Sequence, residues 1–159
     1  MDFILTRIKR YYPILILLIF ELLLFSANFT SGTYFLGWDN LFPEANFPVN
    51  FQRSILGVWQ EYRGLGLLDG MSHAANLVHY LFIFLLSHFL PQNLLRYIFI
   101  FLMHFLGGVG IYFLVSGLLP KQTYNKIASF FGSLFYLLNI ATVQMFFAPY
   151  ELFTVHSAA

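Results

Sequence analysis

Long apolar runs alternate with polar stretches along this chain of 159 residues. The first apolar run, 11–29, follows a basic cluster at 7–10, and two more cover 94–119 and 127–148. A helix needs about 20 apolar residues to cross the hydrocarbon core of a bilayer, so these three runs predict transmembrane helices. The basic cluster predicts that the N-terminus lies in the cytoplasm.

A further apolar segment, 74–90, is shorter and ends before Pro91. If this segment crosses the membrane, the loop with Lys121 and Lys126 lies outside, against the preference of basic loops for the cytoplasm. If it is re-entrant, 94–119 runs from outside to inside and both lysines are cytoplasmic. Both topologies stay open, and the positive charges favour the second.

The polar stretch 30–73 is expected to form the first external loop. Within it, apolar residues recur at helical spacing, followed by Gly64: Phe51, Ile55, Val58, Trp59 and Tyr62. This pattern predicts a short amphipathic helix over 50–65 that lies in the membrane interface. Trp59 and Tyr62 would then lie at the level of the lipid headgroups.

Small residues occur at two places in the predicted helices. The run 107–110 contains three glycines, which predicts a bend or a close contact with another helix. In 127–148, small residues recur four positions apart, as in the pairs Ala128/Gly132 and Ser129/Ser133. Such spacing predicts close helix packing.

The composition agrees with a membrane protein. The chain is 59% hydrophobic and only 9% charged, whereas soluble domains carry about 25% charged residues. These values exclude a soluble enzyme and a nucleic-acid-binding protein. The net charge of +1 indicates no polyanionic partner, and the absence of cysteine excludes disulfides and thiolate metal sites. We therefore expect an all-α, polytopic integral membrane bundle with an interfacial helix in its first external loop.

The chain is expected to form one membrane domain over 1–159. It ends at Ala159, after a hydrophobic segment that has no polar tail. We therefore expect it to be the N-terminal fragment of a larger protein.

Several polar residues are candidates for chemistry. Glu21 lies inside the first predicted span, where an acid is expensive and usually faces the bundle interior. It is expected to pair with a polar group on another helix or to stay protonated, and a structural bond, catalysis and proton relay all remain open. His79 and His88 fall on opposite helix faces, and His104 is on another segment. Polar helix contacts are therefore favoured over a metal site.

The external loop holds the remaining candidates. Glu44 and Asp69 are interpreted as solvated loop acids, because carboxylates are seldom buried without a partner. Arg53 and Arg63 are interpreted as anchors in the membrane interface, with their stems along apolar surface and their charged heads in water.

Two stretches of the chain resemble a family of large bacterial membrane enzymes. The first reads Gly-Trp-Asp-Asn-Leu-Phe-Pro at 37–43 and continues with Pro-Val-Asn-Phe-Gln-Arg at 48–53. The second extends from 76–80 through Pro-Gln-Asn at 91–93 to the glycine-bearing run 107–112. In content and order they resemble the GT-C class of bacterial membrane glycosyltransferases, notably the arabinofuranosyltransferase-like and YfhO-type proteins.

The resemblance implies transfer of a sugar from a polyprenyl-phosphate donor to a cell-envelope glycan or lipid, at the outer face of the bacterial cytoplasmic membrane. It implies that Asp39 is the catalytic base that deprotonates or orients the acceptor hydroxyl; a role in starting a turn is the alternative for this residue. Arg53 is the nearest candidate to bind the donor phosphate. No cofactor is indicated, and a divalent metal is left open.

Two other functions remain as alternatives, so whether the chain is an enzyme stays open. In a transporter or lipid-linked-sugar flippase, Glu21 and the membrane histidines would line a polar pathway. In a non-catalytic membrane subunit, the glycine and small-residue faces would pack against a partner.

Overall fold

The structure is a computed structural model that describes residues 2–35, 43–56, 59–60, 65–68, 77–120 and 124–145. Over these residues the protein is all-α, with six α-helices, one 3₁₀ helix at Pro43–Ala45 and one small sheet. The helices are α1 (Asp2–Asn28), α2 (Phe47–Leu56), α3 (Leu77–Leu86), α4 (Gln92–Leu118), α5 (Asn125–Leu138) and α6 (Ile140–Met145). The sheet is an antiparallel pair of β1 (Trp59–Gln60) and β2 (Leu67–Leu68).

The chain forms two compact units. The described part of the first unit consists of α1, α4 from Tyr97 onward, α5 and α6. The second unit contains the 3₁₀ helix, α2, the sheet, α3 and the beginning of α4 as far as Arg96. In this second unit, α2 packs on α3 through Phe47 and Phe51, whose ring centroids lie 5.3 and 5.4 Å from that of Phe84.

In the first unit, α1 and α4 pack in opposite directions. The rings of Phe25 and Phe101 lie 5.3 Å apart at an angle of 81°, and those of Phe29 and Tyr97 lie 5.2 Å apart at 88°. These edge-to-face arrangements are the favourable geometry for aromatic pairs. Residue numbers rise along α1 as the partner numbers fall along α4, so the two helices are antiparallel.

The helix α5 buries two small polar residues and exposes several large apolar ones, although Leu137 is buried. Ser129 and Ser133 are fully buried, as the small-residue spacing predicts, whereas Ala128 of the other predicted pair is exposed. Phe131 and Phe135 are 63% and 77% exposed. A surface helix of a soluble protein has the opposite arrangement, with its apolar stripe toward the core. Buried small residues beside exposed phenylalanines are typical of membrane helices, whose interfaces are enriched in small residues.

Two of the described helices are long and apolar enough to cross a membrane, namely α1 over 11–28 and α4 over its whole length. The predicted spans 11–29 and 94–119 correspond to these helices, although α1 begins earlier, at Asp2. The segment 74–90 contributes only α3, with 10 residues. Because a helix rises 1.5 Å per residue, α3 is about 15 Å long, roughly half the thickness of a hydrocarbon core.

The predicted amphipathic helix over 50–65 is wrong at 59–60, which form a strand, whereas α2 ends at Leu56. Trp59 is instead in a β-strand and pairs with Leu68. Aromatic residues favour strands, and Gly66 has a φ of 96°, a left-handed conformation that suits glycine in a reversal of the chain. The chain therefore turns back, and only the first part of the periodic pattern becomes helical. Tyr62 lies outside the described residues.

The predicted span 127–148 is interrupted at Asn139, which separates α5 from α6. Asn139 is extended, with a ψ of 157°. Its side-chain oxygen accepts a hydrogen bond from the backbone N–H of Thr142 at 3.1 Å, and its amide donates to the carbonyl of Tyr136 at 2.7 Å. An asparagine that bonds its own backbone in this way caps a helix and competes with continued helical bonding. The last positions of the predicted span, 146–148, lie outside the described residues.

Candidate functional site: two buried ion pairs

The family resemblance implies two site residues, Asp39 and Arg53, and the structure describes only Arg53. Arg53 lies in the last turn of α2 and is half-buried. Asp39 lies outside the described residues, so its role stays a prediction.

The second unit contains a buried ion pair between Glu44, in the 3₁₀ helix, and Arg96, in α4. Arg96 donates from Nε to Oε1 of Glu44 at 2.8 Å and from Nη2 to Oε2 at 3.1 Å. Both side chains are almost completely buried. The interpretation of Glu44 as a solvated loop acid is therefore wrong. Its carboxylate is removed from water because a guanidinium matches it with two parallel hydrogen bonds.

A second contact fixes the backbone at the same place. Gln92, one helical turn before Arg96 on α4, donates from Nε2 to the backbone carbonyl of Glu44 at 2.8 Å. Residues four apart on a helix share one face, so one side of α4 binds both the side chain and the main chain of Glu44. The segment that follows Pro43 is thus attached to α4 at three atoms.

His79, on α3, is a buried histidine whose electrostatic environment includes this ion pair. Burial, and to a smaller extent the positive charge of Arg96, lower the pKa of His79 from 6.5 to about 4. Both effects disfavour a charged imidazolium. His79 is therefore neutral at physiological pH, and Arg96 keeps Glu44 as its ionic partner.

The first unit contains a different buried pair, formed by Glu21 of α1 and His104 of α4. Nδ1 of His104 lies 2.9 Å from Oε2 and 3.0 Å from Oε1 of Glu21. Nε2 of the same ring lies 3.2 Å from the backbone carbonyl of Leu137, near the end of α5. Both ionisable side chains are buried. The prediction that Glu21 faces the bundle interior and pairs with another helix is confirmed.

A close approach of α5 to α4 accompanies this pair. A Cβ atom built on Gly108 would lie 2.9 to 3.0 Å from three side-chain atoms of Leu137. The prediction of a close helix contact in 107–110 is thereby confirmed at Gly108. Since Gly108 follows His104 by four positions, one face of α4 contacts both the side chain and the carbonyl of Leu137.

Sequence reasoning missed Arg96 and the pairing of Glu44. A signal was available, because a lone arginine inside the apolar run 94–119 requires a buried partner. The partner is 52 positions away, and the partners Glu21 and His104 are 83 positions apart. Separations of this size leave no local pattern from which a pairing can be read.

Among the described residues, no group of three histidine, aspartate or glutamate side chains is placed to hold a metal ion. Comparison of the chain with protein-family models, with curated proteins and with solved structures finds no match. A function for this chain must therefore be argued from its own residues.

Proposed function

We propose that this chain is a membrane protein and forms the N-terminal part of a GT-C-like glycosyltransferase in the bacterial cytoplasmic membrane. It would transfer a sugar from a polyprenyl-phosphate donor to a cell-envelope glycan or lipid at the outer face. Asp39 acts as the general base, and Arg53 helps to bind the donor phosphate.

The outward face of α1 supports the membrane setting. Glu21 is 4% exposed, whereas the adjacent Leu22 and Leu23 are 57% and 62% exposed. Apolar surface in water costs about 25 cal/mol per Å², so such a face is unfavourable in an aqueous protein. A lipid environment removes this cost and leaves the single acid to be satisfied inside the protein by His104.

The antiparallel packing of α1 and α4 supports a particular topology. With the N-terminus in the cytoplasm, α1 leads outward and α4 leads inward. The connection that carries Lys121 and Lys126 then lies in the cytoplasm, as the positive-inside rule favours. In this arrangement 74–90 does not cross the membrane, and the exposure of Ile55 and Leu56 supports a location of α2 in the interface.

Because the chain contains no cysteine, this topology can be tested with single-cysteine variants. We expect Ser31→Cys to react with an impermeant maleimide added to intact cells, and Lys121→Cys to react only after the membrane is opened. Labelling of both positions from outside would contradict the proposed topology.

The observation that carries the enzymatic proposal is the attachment of Glu44 to α4. Asp39 and Glu44 belong to the same loop, five positions apart. A catalytic base must be held near its target, and positioning accounts for much of its effect. The bidentate pair with Arg96, together with Gln92, fixes the chain at Glu44, five positions after Asp39 in the sequence.

The test measures sugar transfer by the full-length protein in proteoliposomes. The donor is a polyprenyl-phosphate sugar whose sugar group carries a label. Asp39→Asn should lower kcat by about 10²- to 10⁴-fold, the usual contribution of a general base. Asp69→Asn, in the same loop, is the matched control and should retain activity. Transfer by Asp39→Asn at the wild-type rate would remove Asp39 from the mechanism. Absence of sugar transfer by the wild-type protein would contradict the proposal that the chain is part of a glycosyltransferase.

Arg53→Gln provides a separate test of donor binding. Loss of one guanidinium contact to phosphate should raise KM for the donor more than it lowers kcat, because the contact is present in the ground state as well. An unchanged KM would remove Arg53 from the donor site and leave the role of Asp39 to be judged by its own variant.

A transporter is the second candidate, and the Glu21–His104 pair is the observation that favours it. Intramembrane acids and histidines often form proton relays. Glu21→Gln should be tolerated by the transferase and should damage a proton-coupled transporter. Transport that survives this substitution would count against the relay.

A further inference from the structure

We propose that the outer boundary between lipid and water lies at Tyr97, so that the acyl chains of the bilayer cover only positions 97–118 of α4. This placement rests on the proposed membrane setting of the chain and adds the depth at which its helices lie. The helix α4 has 27 residues and is about 40 Å long, whereas a hydrocarbon core is about 30 Å thick. Part of α4 therefore extends beyond the core.

The side chain of Tyr97 joins an apolar cluster to a polar turn. Its ring packs edge-to-face on Phe25 and Phe29, near the end of α1, with centroid distances of 6.4 and 5.2 Å. Its hydroxyl lies 3.1 Å from Oγ1 of Thr33, in the turn that follows α1. Tyrosine is enriched at membrane interfaces because its ring is apolar and its hydroxyl is polar. Tyr97 has this division, with separate partners for its two parts.

The turn that receives the hydroxyl of Tyr97 fixes the upper limit of the lipid. Thr33 donates its hydroxyl hydrogen to the backbone carbonyl of Thr30 at 2.6 Å. A threonine hydroxyl has only one hydrogen, so Tyr97 is the donor in its bond with Thr33. Positions 30–34 are exposed and are not in a helix. Irregular backbone does not face hydrocarbon, because its polar groups require water, so the lipid ends below this turn.

The inner boundary follows from the thickness of the core. About 30 Å corresponds to about 20 helical residues. Phe29 and Tyr97 contact each other, and 20 residues inward from them lie positions 9 on α1 and 117 on α4. Positive charge begins at both places in the sequence, with the basic cluster 7–10 and with Lys121 just after α4. Both helices thus give the same boundary, and its charge complements an anionic cytoplasmic leaflet.

Exposed apolar side chains lie between these two boundaries. On α1, Leu15, Ile19 and Leu23 recur every four residues and are exposed on one face of the helix. On α4, Leu106 and Phe113 are exposed within the same interval. Acyl chains are the partner that fits such a surface, because they cover apolar side chains without a polar group to satisfy.

The remaining part of α4, 92–96, lies outside the hydrocarbon. Gln92 and Arg96 belong to this outer extension, and both bind Glu44. A charged side chain is costly within a bilayer. With the boundary at Tyr97, the arginine and its carboxylate partner are kept out of the lipid although they belong to an apolar helix.

The experiment measures the depth of single nitroxide labels in the bilayer. The chain has no cysteine, so Leu15→Cys, Ile19→Cys and Leu23→Cys can be labelled one at a time in the full chain. These side chains are exposed, so a label there does not disturb packing. Each variant is reconstituted in vesicles of palmitoyloleoylphosphatidylcholine. Oxygen concentrates in hydrocarbon and a nickel chelate in water, so the ratio of their collision rates with the nitroxide reports depth.

The boundary at Tyr97 predicts a definite order of these ratios. Ile19 is ten residues from Phe29 and lies about 15 Å below the boundary, at the centre of the core. Leu15 and Leu23 are each about 6 Å from that centre. We expect the ratio of oxygen to nickel collisions to be highest at Ile19 and about equal at the other two. Ser31→Cys, in the exposed turn, should favour the nickel chelate.

Other outcomes separate this placement from the membrane setting on which it rests. If the outer boundary were at Gln92, the centre of the core would shift by five residues, about 8 Å. The highest ratio would then occur at Leu23. That result, or a label at Ser31 that favours oxygen, would overturn the placement and leave the membrane setting intact. Absence of an oxygen preference at all three positions of α1 would overturn both.

Discussion

Gly108 allows α5 to approach α4 closely enough for Leu137 to contact His104. We predict that Gly108→Ala separates the two helices, because the new methyl group would lie 2.9 Å from Cδ1 and 3.0 Å from both Cδ2 and Cγ of Leu137. Ordinary carbon–carbon contacts are about 3.5–4.0 Å. The buried Leu137 side chain cannot relieve all three contacts by rotation, since Cγ is close to its own backbone.

The magnitude follows from two opposing effects. Replacement of glycine by alanine inside a helix stabilises it by about 0.5–1 kcal/mol. Insertion of a methyl group into a filled contact costs about 1–3 kcal/mol. Gly110 is the matched control, because a Cβ there meets nothing within 4 Å. We therefore expect Gly110→Ala to stabilise the protein and Gly108→Ala to be about 1–3 kcal/mol less stable than Gly110→Ala.

The assay measures the free energy of unfolding of both variants in mixed micelles under identical conditions. In a double-mutant cycle, the penalty of Gly108→Ala should disappear when Leu137 is also alanine, since the contacting side chain is then gone. In nitrogen-15 NMR of protein with labelled histidine, the signals of His104 should change in Gly108→Ala, because Nε2 contacts the carbonyl of Leu137. They should remain as in the wild type in Gly110→Ala. Equal stability of the two single variants would refute the reasoning.

Three further predictions concern the other polar contacts. Arg96→Met should destabilise the protein by about 3–5 kcal/mol by leaving Glu44 buried without its partner, and adding Glu44→Gln should recover part of the loss in chemical denaturation. In the folded protein His79 is neutral, with a pKa of about 4. Its contribution to the free energy of unfolding is complete above pH 6.5 and declines as the pH falls toward 4, because in this range the unfolded chain binds a proton at His79 and the folded protein does not. His79→Gln should reduce the loss of stability between pH 6.5 and 4, measured as the free energy of unfolding. The same loss of stability in the variant as in the wild type would contradict the prediction. Asn139→Ala should cost about 1 kcal/mol through loss of the α6 cap, measurable as a lower thermal midpoint, and a midpoint equal to that of the wild type would argue against the cap.

The apolar runs were sufficient to predict most of the helical structure. The lengths of 11–29 and 94–119 predicted two long helices, and both are present as α1 and α4. The location of Glu21 inside such a run was enough to predict that its side chain faces the bundle interior, and a polar partner on another helix was one of the two expected outcomes. These inferences depend on neighbouring residues, whose spacing is a property of the chain itself.

The same patterns failed where a local bond or a turn competes with the helix. Asn139 interrupts the apolar run 127–148 by bonding its own backbone, although hydrophobicity continues on either side. In 50–65 the helical periodicity extends past Leu56, but Trp59 pairs with Leu68 instead. Hydrophobic periodicity reports which residues are buried together and carries little information on such interruptions.

The partners of the buried charges were decided by tertiary structure alone. Neither the bond of Arg96 to Glu44 nor that of His104 to Glu21 has a signature in sequence spacing, because each joins segments 52 or 83 positions apart. A buried charge requires a partner, and the composition of the chain makes that requirement plain. Which partner satisfies it depends on which segments come together: α1 packs against α4 at His104, and the 3₁₀ helix packs against α4 at Arg96.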